Sequence, residues 1–484
     1  MRVWGIKAAI AGICCMIICG CKVHYVQPCP TPCIEVPETF DQEEDGVAWC
    51  DEWWTEFQDP ELNCIMDCAF QRNLSIQQAW NQLLQARSDV CIANSERFPQ
   101  IDLIVNGTKN YGDSGQSGFV PGSEFGFGGG EVETDVSRFL LSGQLAYEVD
   151  IWRKIDSQVQ AACLEYRATK DDLDATALML SGTITELWFT IQQQRALLKL
   201  LYEQIEANKT QLELIELRFI VGQSSALDVY QQRLTLAETE SEVPPVKSRL
   251  KTTLNQLQVL LAEAPDDTFS EEPQELSLEL PPFPCLGTPW HLMQNRPDLR
   301  AAQRRLVAAD YDVAVAVADR LPQLDFLLTG DLLTRTFNQF FQNQSLSIAG
   351  NLLAPLIDGG RRLCEVQKRE AIVWELLNNF GDTFLIAVRE VEDAIVQEKE
   401  QIALLEALEN QREISESTLR ESQLRYINGL TNYLDVIAAI TALQNVERRI
   451  ITEKKNLLIF RANLYRALGG SFELAECQDS SCSG

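Results

Sequence analysis

LRFIVGQSSALDV, from Leu217 to Val229, returns 207 positions later as LRYINGLTNYLDV, from Leu424 to Val436. Leu, Arg, Ile, Gly, Leu, Asp and Val stay in register between the two stretches. Each reads as a helix ended by a glycine, Gly222 or Gly429, which permits the positive φ of a helix terminus. The Leu-Asp pair that follows falls in the first turn of the next helix. Two further echoes keep the same order. Pro99-Gln100-Ile101-Asp102 returns as Pro322-Gln323-Leu324-Asp325, and Tyr147-Glu148-Val149-Asp150 with Arg153-Lys154 returns as Pro355-Leu356-Ile357-Asp358 with Arg361-Arg362. A duplication of about 200 residues means one supersecondary unit built twice, so the fold is a ring or bundle of like parts.

The spacings within the copies separate rigid from variable segments. Asp150 lies 72 residues before Gly222 and Asp358 lies 71 before Gly429, whereas Pro99 to Asp150 is 51 and Pro322 to Asp358 only 36. The extra 15 residues are expected in a surface loop at Tyr111 to Gly130, where GFVPGSEFGFGGG has the composition of a flexible excursion.

Residues 151–220 and 359–427 contain no proline, and Leu, Ile, Ala and Trp recur in them at helical spacing. Each predicts one helix near 70 residues, about 100 Å long. Shorter helices are expected over about 60–97, 226–263, 288–320 and 430–468, the second of them broken or kinked at Val243-Pro244-Pro245. Between the helices lie four candidate strands, about 100–110, 138–150, 322–332 and 344–355, in which apolar and polar residues alternate. Ile101, Leu103 and Val105 mark one face and Asp102, Gln144, Glu148, Gln323 and Asp325 the other. An ordinary half-buried sheet has the same alternation, but no amphipathic element is left over to cover one here. The lengths suit tilted strands that cross a bilayer. Four strands cannot close a barrel, and an open edge is not tolerated in lipid, so closure requires other chains. Three copies would give twelve strands above an α-helical tube.

Arg2 and Lys7 followed by an apolar run from Ala8 to Cys19 form a secretory signal over residues 1–20. No second apolar run of this kind follows. Ile18-Cys19-Gly20-Cys21 resembles the bacterial lipobox, which implies that Cys21 is acylated and becomes the first mature residue; an unmodified Cys21 after ordinary cleavage is the plainer alternative. Lys22 in place of Asp resembles lipoproteins sent on to the outer membrane. A net charge of −29 makes nucleic acid and anionic headgroups poor partners. Fifteen cysteines and an exported chain allow disulfides, whose connectivity sequence does not fix. With no CxxC pair and only His24 and His291, the spacing does not support a zinc site. No P-loop, GxSxG or histidine constellation is present, so no cofactor and no enzymatic chemistry are expected; the FGFGGG run from Phe125 is not placed between a strand and a helix as a phosphate cradle is.

Five strings then carry a resemblance in one order. Trp53-Trp54 with Phe57, Asp59 and Pro60, then Arg296 to Arg300 (RPDLR), PLIDGGRR from Pro355, RYINGLTNYLDV from Arg425, and LYRALGG from Leu464 resemble motifs of the outer-membrane efflux proteins, the TolC-like exit ducts. The resemblance runs from Cys21 to the end and is closest to the lipoprotein branch that serves resistance-nodulation-division pumps. It implies an internally duplicated α+β membrane protein: a homotrimer with a 12-stranded barrel, four strands per chain, continued by a long α-helical coiled-coil barrel in the periplasm. The repeats would span 21–265 and 290–470, with the 266–289 linker and both termini in an equatorial collar and 471–484 as a tail. The implied function is passive conduction of small molecules to the exterior, the partners being a periplasmic adaptor and an inner-membrane transporter. An exit duct for type I protein secretion is the alternative within the family. An envelope-anchored coiled-coil scaffold without a pore is the alternative outside it, as is a surface lipoprotein enzyme. By the same resemblance Arg425, Tyr426, Leu434 and Asp435, with first-copy counterparts Arg218 and Asp228, form a periplasmic gate; the family's second acidic position is Ala438 here. Asp102, Gln144, Glu148, Gln323 and Asp325 would line the barrel lumen.

Overall fold

The computed structural model describes residues 23–27, 39–40, 46, 52–112, 134–266, 269, 272–274, 276, 279–334 and 344–470. A 3-10 turn at Trp53–Phe57 leads to α1 (Pro60–Arg72) and α2 (Leu74–Ser95), then β1 (Gln100–Gly112) and β2 (Thr134–Glu148). The long helix α3 (Lys154–Ile220) follows, and its return path is α4 (Ala226–Ser241) and α5 (Val243–Leu260). The second copy repeats the order. A 3-10 turn at Pro289–His291, the single turn α6 (Leu292–Asn295) and α7 (Pro297–Ala318) precede β3 (Gln323–Thr334) and β4 (Gln344–Leu353). Helix α8 (Arg361–Ile427) descends and α9 (Tyr433–Leu468) returns.

Helices α3 and α8 are each 67 residues long, about 100 Å. Two of the shorter helical segments are divided where no break was expected, and a third has the break expected at Val243-Pro244-Pro245. The segment 60–97 is two helices, because the Asn73 carboxamide oxygen accepts the Ser75 and Ile76 N–H groups at 2.8 and 3.2 Å and starts a new one. The first return path breaks at Glu242, which places Pro244 in the first turn of α5, where a missing N–H costs nothing. The segment 288–320 is divided because Arg296, ahead of Pro297, is held extended at ψ 122°. Part of the 15-residue difference assigned to the loop lies in the strands: β1 and β2 have 13 and 15 residues, β3 and β4 have 12 and 10. The rest of that loop, residues 113–133, lies outside the described residues, as do Cys21, the signal and the tail 471–484.

Each descending strand passes into its long helix through the repeated aspartate. Asp150 accepts the N–H groups of Ile155 and Asp156 at 3.2 and 2.8 Å. Asp358 accepts those of Gly360 and Arg362 at 3.0 and 3.2 Å. The helix then begins at a left-handed residue, Gly360 (φ 86°) in the second copy but Arg153 (φ 57°) in the first.

The four strands form one antiparallel sheet in the order β1-β2-β3-β4. Its register aligns Asp102, Gln144, Thr329 and Ser347 in one row and Glu148, Asp325 and Asn351 in another on the same face. The opposite face carries rows such as Ile101, Leu145, Leu328 and Ile348. Ile101 and Ile348 are 75 % and 77 % exposed, so this apolar face is uncovered. Phe139 lies over Gly107 and Phe326 over Gly350, aromatic cover that restores packing where strand glycines have none.

The main apolar core gathers around α3 from Val159 to Leu201 and unites motifs far apart in sequence. Trp53 stacks on Tyr465 with centroids 6.0 Å apart, and the Trp188 indole N–H donates to Asp59 at 2.6 Å. Buried Arg296 donates to Asp298, to Glu390 and to the Ala467 carbonyl. Gly469, at φ +96°, passes so close that an added Cβ would stand 2.8 Å from the Arg296 side chain and 2.9 Å from its backbone nitrogen. Gly469→Ala therefore combines left-handed strain with overpacking and should cost about 2–5 kcal/mol in denaturant unfolding. Gly222→Ala, with nothing within 4 Å of the new Cβ, should cost only about 1–2 kcal/mol. Equal losses would refute the close approach.

Candidate functional site

The repeated motifs close the two long hairpins with one bond pattern. At the end of α3, the Gly222 N–H donates to the Phe219 carbonyl at 3.0 Å and the Gln223 N–H to that of Arg218 at 2.8 Å. At the end of α8, Gly429 donates to Tyr426 at 3.0 Å and Leu430 to Arg425 at 2.8 Å. Both glycines have positive φ, 75° and 72°, as a helix end of this kind requires. The next helices begin so that Asp228 and Asp435 stand in their first turns.

The two tips meet at Asp228. Its carboxylate accepts the Ser225 N–H at 3.1 Å and the Ser225 and Ser224 hydroxyls at 2.8 and 2.9 Å. The Tyr426 hydroxyl of the other hairpin donates to the same carboxylate at 3.1 Å. The Arg218 guanidinium lies over the Tyr426 ring, 5.2 Å from its centroid. Beneath them Tyr433 packs 5.0 Å from Tyr426 and donates to the Gln232 carboxamide oxygen at 2.8 Å. Ile215, Val229, Val436 and Ile440 close the cluster. Partial burial works against the Asp228 carboxylate, but the bonds from Ser225, Ser224 and Tyr426 outweigh it and hold its pKa below the ordinary 3.8. Burial raises the Tyr426 phenol above 10.0, so it remains a donor at neutral pH.

The structure thus unites Arg218, Asp228 and Tyr426 and leaves the other three gate candidates apart from them. Arg425 pairs within its own helix with Glu421 at 3.0 Å, both side chains more than half exposed. Asp435 accepts the Thr431 hydroxyl. Leu434 is 58 % exposed. Ser224, Tyr433 and Gln232 were not singled out from sequence. Ser225, three residues ahead of Asp228, fits the capping-box pattern and could have pointed to the serines; Tyr433 replaces the first copy's Ala226, so the repeat itself concealed it.

On the sheet, Asp102, Gln144, Glu148, Gln323 and Asp325 share the polar face, and the register adds Asp331, which accepts the Ser142 hydroxyl at 2.5 Å. Glu148 is ion-paired to Lys154 at 3.3 Å, and Lys154 lies equally close to Asp319. Just after Cys21, His24 binds Asp310 of α7 at 2.6 Å and the Gln27 N–H donates to the same carboxylate at 2.9 Å. Among the described residues no group of three or more His, Cys, Asp or Glu is placed to hold a metal.

This architecture, two long helical hairpins per chain under a four-stranded sheet, is that of an outer-membrane channel. Residues 65–263 and 289–470 match the outer membrane efflux protein family, and the chain belongs to it. It is 24 % identical over 427 residues to the solvent efflux pump outer membrane protein SrpC of Pseudomonas putida, with 87 % of each chain covered. It is 26 % identical over 436 residues to the outer membrane protein OprJ of Pseudomonas aeruginosa, covering 87 % of this chain and 86 % of the relative. The crystal structure of VceC from Vibrio cholerae has the same fold, with a TM-score of 0.77 and 24 % identity over 88 % of this chain and 100 % of that one.

The Tyr426–Asp228 bond has a definite pH dependence. A carboxyl whose folded pKa is depressed contributes stability that is complete above its unfolded value of 3.8 and disappears as pH falls through the folded one. Tyr426→Phe should cost about 1 kcal/mol at pH 7 and less once Asp228 is protonated, well below pH 3.8, where the hydroxyl keeps its 3.2 Å contact with the Ser224 hydroxyl. Urea unfolding of both proteins at the two pH values measures this, and a pH-independent difference would show that the bond is absent.

Proposed function

We propose that this protein is the outer-membrane channel of a tripartite efflux pump and conducts small molecules passively from the periplasm to the exterior. The observation that carries the reading is a sheet with one polar and one apolar face and two open edges, mounted on helical hairpins about 100 Å long. Strands of 10 to 15 residues exceed or match the 9–11 or so that span a bilayer when tilted. Three chains would pair each β1 edge with a neighbour's β4 and close twelve strands. The apolar rows then face lipid, and Asp102, Gln144, Gln323, Asp325 and Asp331 face water. Helix α8 supports the same assembly. Against the expectation of no further apolar run, it holds an 18-residue stretch apolar enough to pass for a membrane span, and 28 % of that stretch is buried within the chain. Partner helices would cover the remainder.

In this reading 21–265 and 290–470 are the two efflux-protein repeats and 266–289 the equatorial linker, with the long helices in the periplasm. The tips around Gly222 and Gly429 are the closed end and meet the adaptor, which links the duct to an inner-membrane transporter of the resistance-nodulation-division class. SrpC is named for solvent efflux; small apolar or amphiphilic cargo fits a duct that performs no chemistry of its own. Acylated Cys21 would anchor the chain beside the strand-to-helix junction, where His24 and Gln27 hold the following residues to α7.

Tyr426 and Asp228 are the latch between hairpins, so single-channel recording in planar bilayers tests the duct and its gate together. The wild-type trimer should show small, discrete openings. Replacing Arg425 by Ala and Tyr426 by Phe together should raise conductance several-fold, and Tyr426→Phe alone should supply most of the rise, because among the described residues Arg425 bonds to Glu421 of its own helix while Tyr426 bonds across to Asp228. Reversal potentials under a salt gradient should favour cations, since the like charges of the polar face focus their field in the lumen. Absence of any conductance from intact trimers would refute the channel, and unchanged conductance in the variants would move the gate elsewhere.

A further inference from the structure

Two thiols sit on faces that the internal repeat buries in its other copy. Helices α2 and α7 have 22 residues each, and α3 and α8 have 67 each. Residues therefore correspond at constant offsets, 223 from Leu74 to Pro297 for the first pair and 207 from Lys154 to Arg361 for the second. By these offsets Cys91 of α2 is the counterpart of Ala314 of α7, and Cys364 of α8 that of Ser157 of α3. Ala314 and Ser157 are both buried, and with Tyr311 and Gln160 they line one groove where α7 packs against α3. Cys91 and Cys364 are exposed.

The four helices stand in the row α2-α3-α7-α8, each packed on the next, so α2 and α8 form its two edges. Those edges follow the sheet. Strand β2 runs into α3, α7 runs into β3, and β2 pairs with β3; likewise β4 runs into α8 and α2 runs into β1. Joining β4 of one chain to β1 of the next therefore repeats the β2–β3 junction and sets α8 against the neighbouring α2 as α3 lies against α7. A second pair supports the superposition. Lys154 at the head of α3 lies 3.3 Å from Asp319 just past α7, and the counterparts of these two residues are Arg361 and Glu96, again of opposite charge and both exposed in the single chain.

We propose that Cys364 of each chain and Cys91 of the next form an inter-chain disulfide, three of which link the ring covalently just below the barrel. The inference rests on the three-chain closure proposed above and goes beyond it. Cys364 is the fourth residue of α8 and Cys91 the fifth from the end of α2, so both lie about one helical turn below the strands. Packed helix axes run about 8–10 Å apart with Cα atoms about 2.3 Å off each axis, which leaves facing Cα atoms near the roughly 4.4–6.8 Å that a disulfide spans. Within one chain the two thiols are three helix spacings apart, roughly 25 Å, and cannot join. The bond thus forms only after assembly. A chain exported to the outer membrane meets disulfide-bearing oxidants. One cysteine thiolate attacks such a disulfide, the second displaces the oxidant from the mixed disulfide, and the oxidant leaves as two thiols that hold the two electrons and two protons.

Denaturing electrophoresis tests it on full-length protein extracted in mild detergent without reductant, its free thiols blocked with N-ethylmaleimide. The chains should run mainly as a covalent trimer that reduction converts to single chains, and peptide mapping should recover Cys91 joined to Cys364. Cys91→Ser and Cys364→Ser should each lower the covalent trimer at least tenfold, whereas Cys64→Ser, at another exposed thiol, should leave it unchanged. The two serine variants expressed together should give covalent dimers and no trimer, since a head-to-tail ring of both then keeps one complete junction. The native mass of the reduced wild type reads the ring separately. Three chains there, with oxidised protein that denatures to single chains even after treatment with diamide, would overturn the disulfide and leave the closure standing. A native monomer would overturn both, and a covalent trimer that survives either substitution would overturn this pairing.

Discussion

A backbone N–H or C=O left without a partner in hydrocarbon costs several kcal/mol, and β1 and β4 each present a whole edge of such groups. That penalty exceeds what any single side-chain contact in this chain supplies. A lone sheet of four strands, uncovered on its apolar face, is thus no end state for an outer-membrane protein. Closure with other copies, as proposed, would satisfy both edges at once and set the remaining geometry. Every second strand must then leave the membrane on the same side and continue as a helix. The aspartates at 150 and 358 mark those two exits, each holding the N–H groups that open its long helix.

Stability is distributed unevenly along the helices that result. Around the equator, Trp53, Trp188, Phe189 and Tyr465 are nearly inaccessible, and the Arg461–Glu398 ion pair is buried beneath the linker carbonyl of Pro281. At the tips a handful of apolar residues, the Tyr426–Asp228 and Tyr433–Gln232 bonds and the Arg218–Tyr426 stack hold the hairpins together. If the tips are the closed end, as proposed, a duct that opens there would use this gradient. A stiff upper core would keep a closed barrel in shape, while the tips carry only a few contacts that a docking partner could replace.

Much of this was legible in the sequence, for identifiable reasons. Both 67-residue helices were visible because proline is absent and the apolar spacing is helical over their whole length, and the strand faces were visible because alternation fixes which residues share a side. The break at Glu242 was announced by the prolines that follow it, whereas the break at Asn73 was less visible, since capping by a carboxamide competes with otherwise good helical sequence. The tip was half legible. Repetition pointed to both turns but suggested that equivalent residues do equivalent work, whereas the structure uses Asp228 from one copy and Tyr426 from the other. Arg425 and Asp435 bond locally. The burial of Gln204, Asn208, Gln232 and Gln444 between the hairpins could not be read, because Gln and Asn in a helix otherwise look like a solvated face.

The native mass of protein extracted in mild detergent tests the central claim most directly. The account predicts a single species of three chains, each near 54.5 kDa less the signal and plus any acyl groups, with no folded monomer at equilibrium. A stable monomer that retains its β-sheet would contradict it, because an isolated four-stranded edge would then be tolerated in lipid.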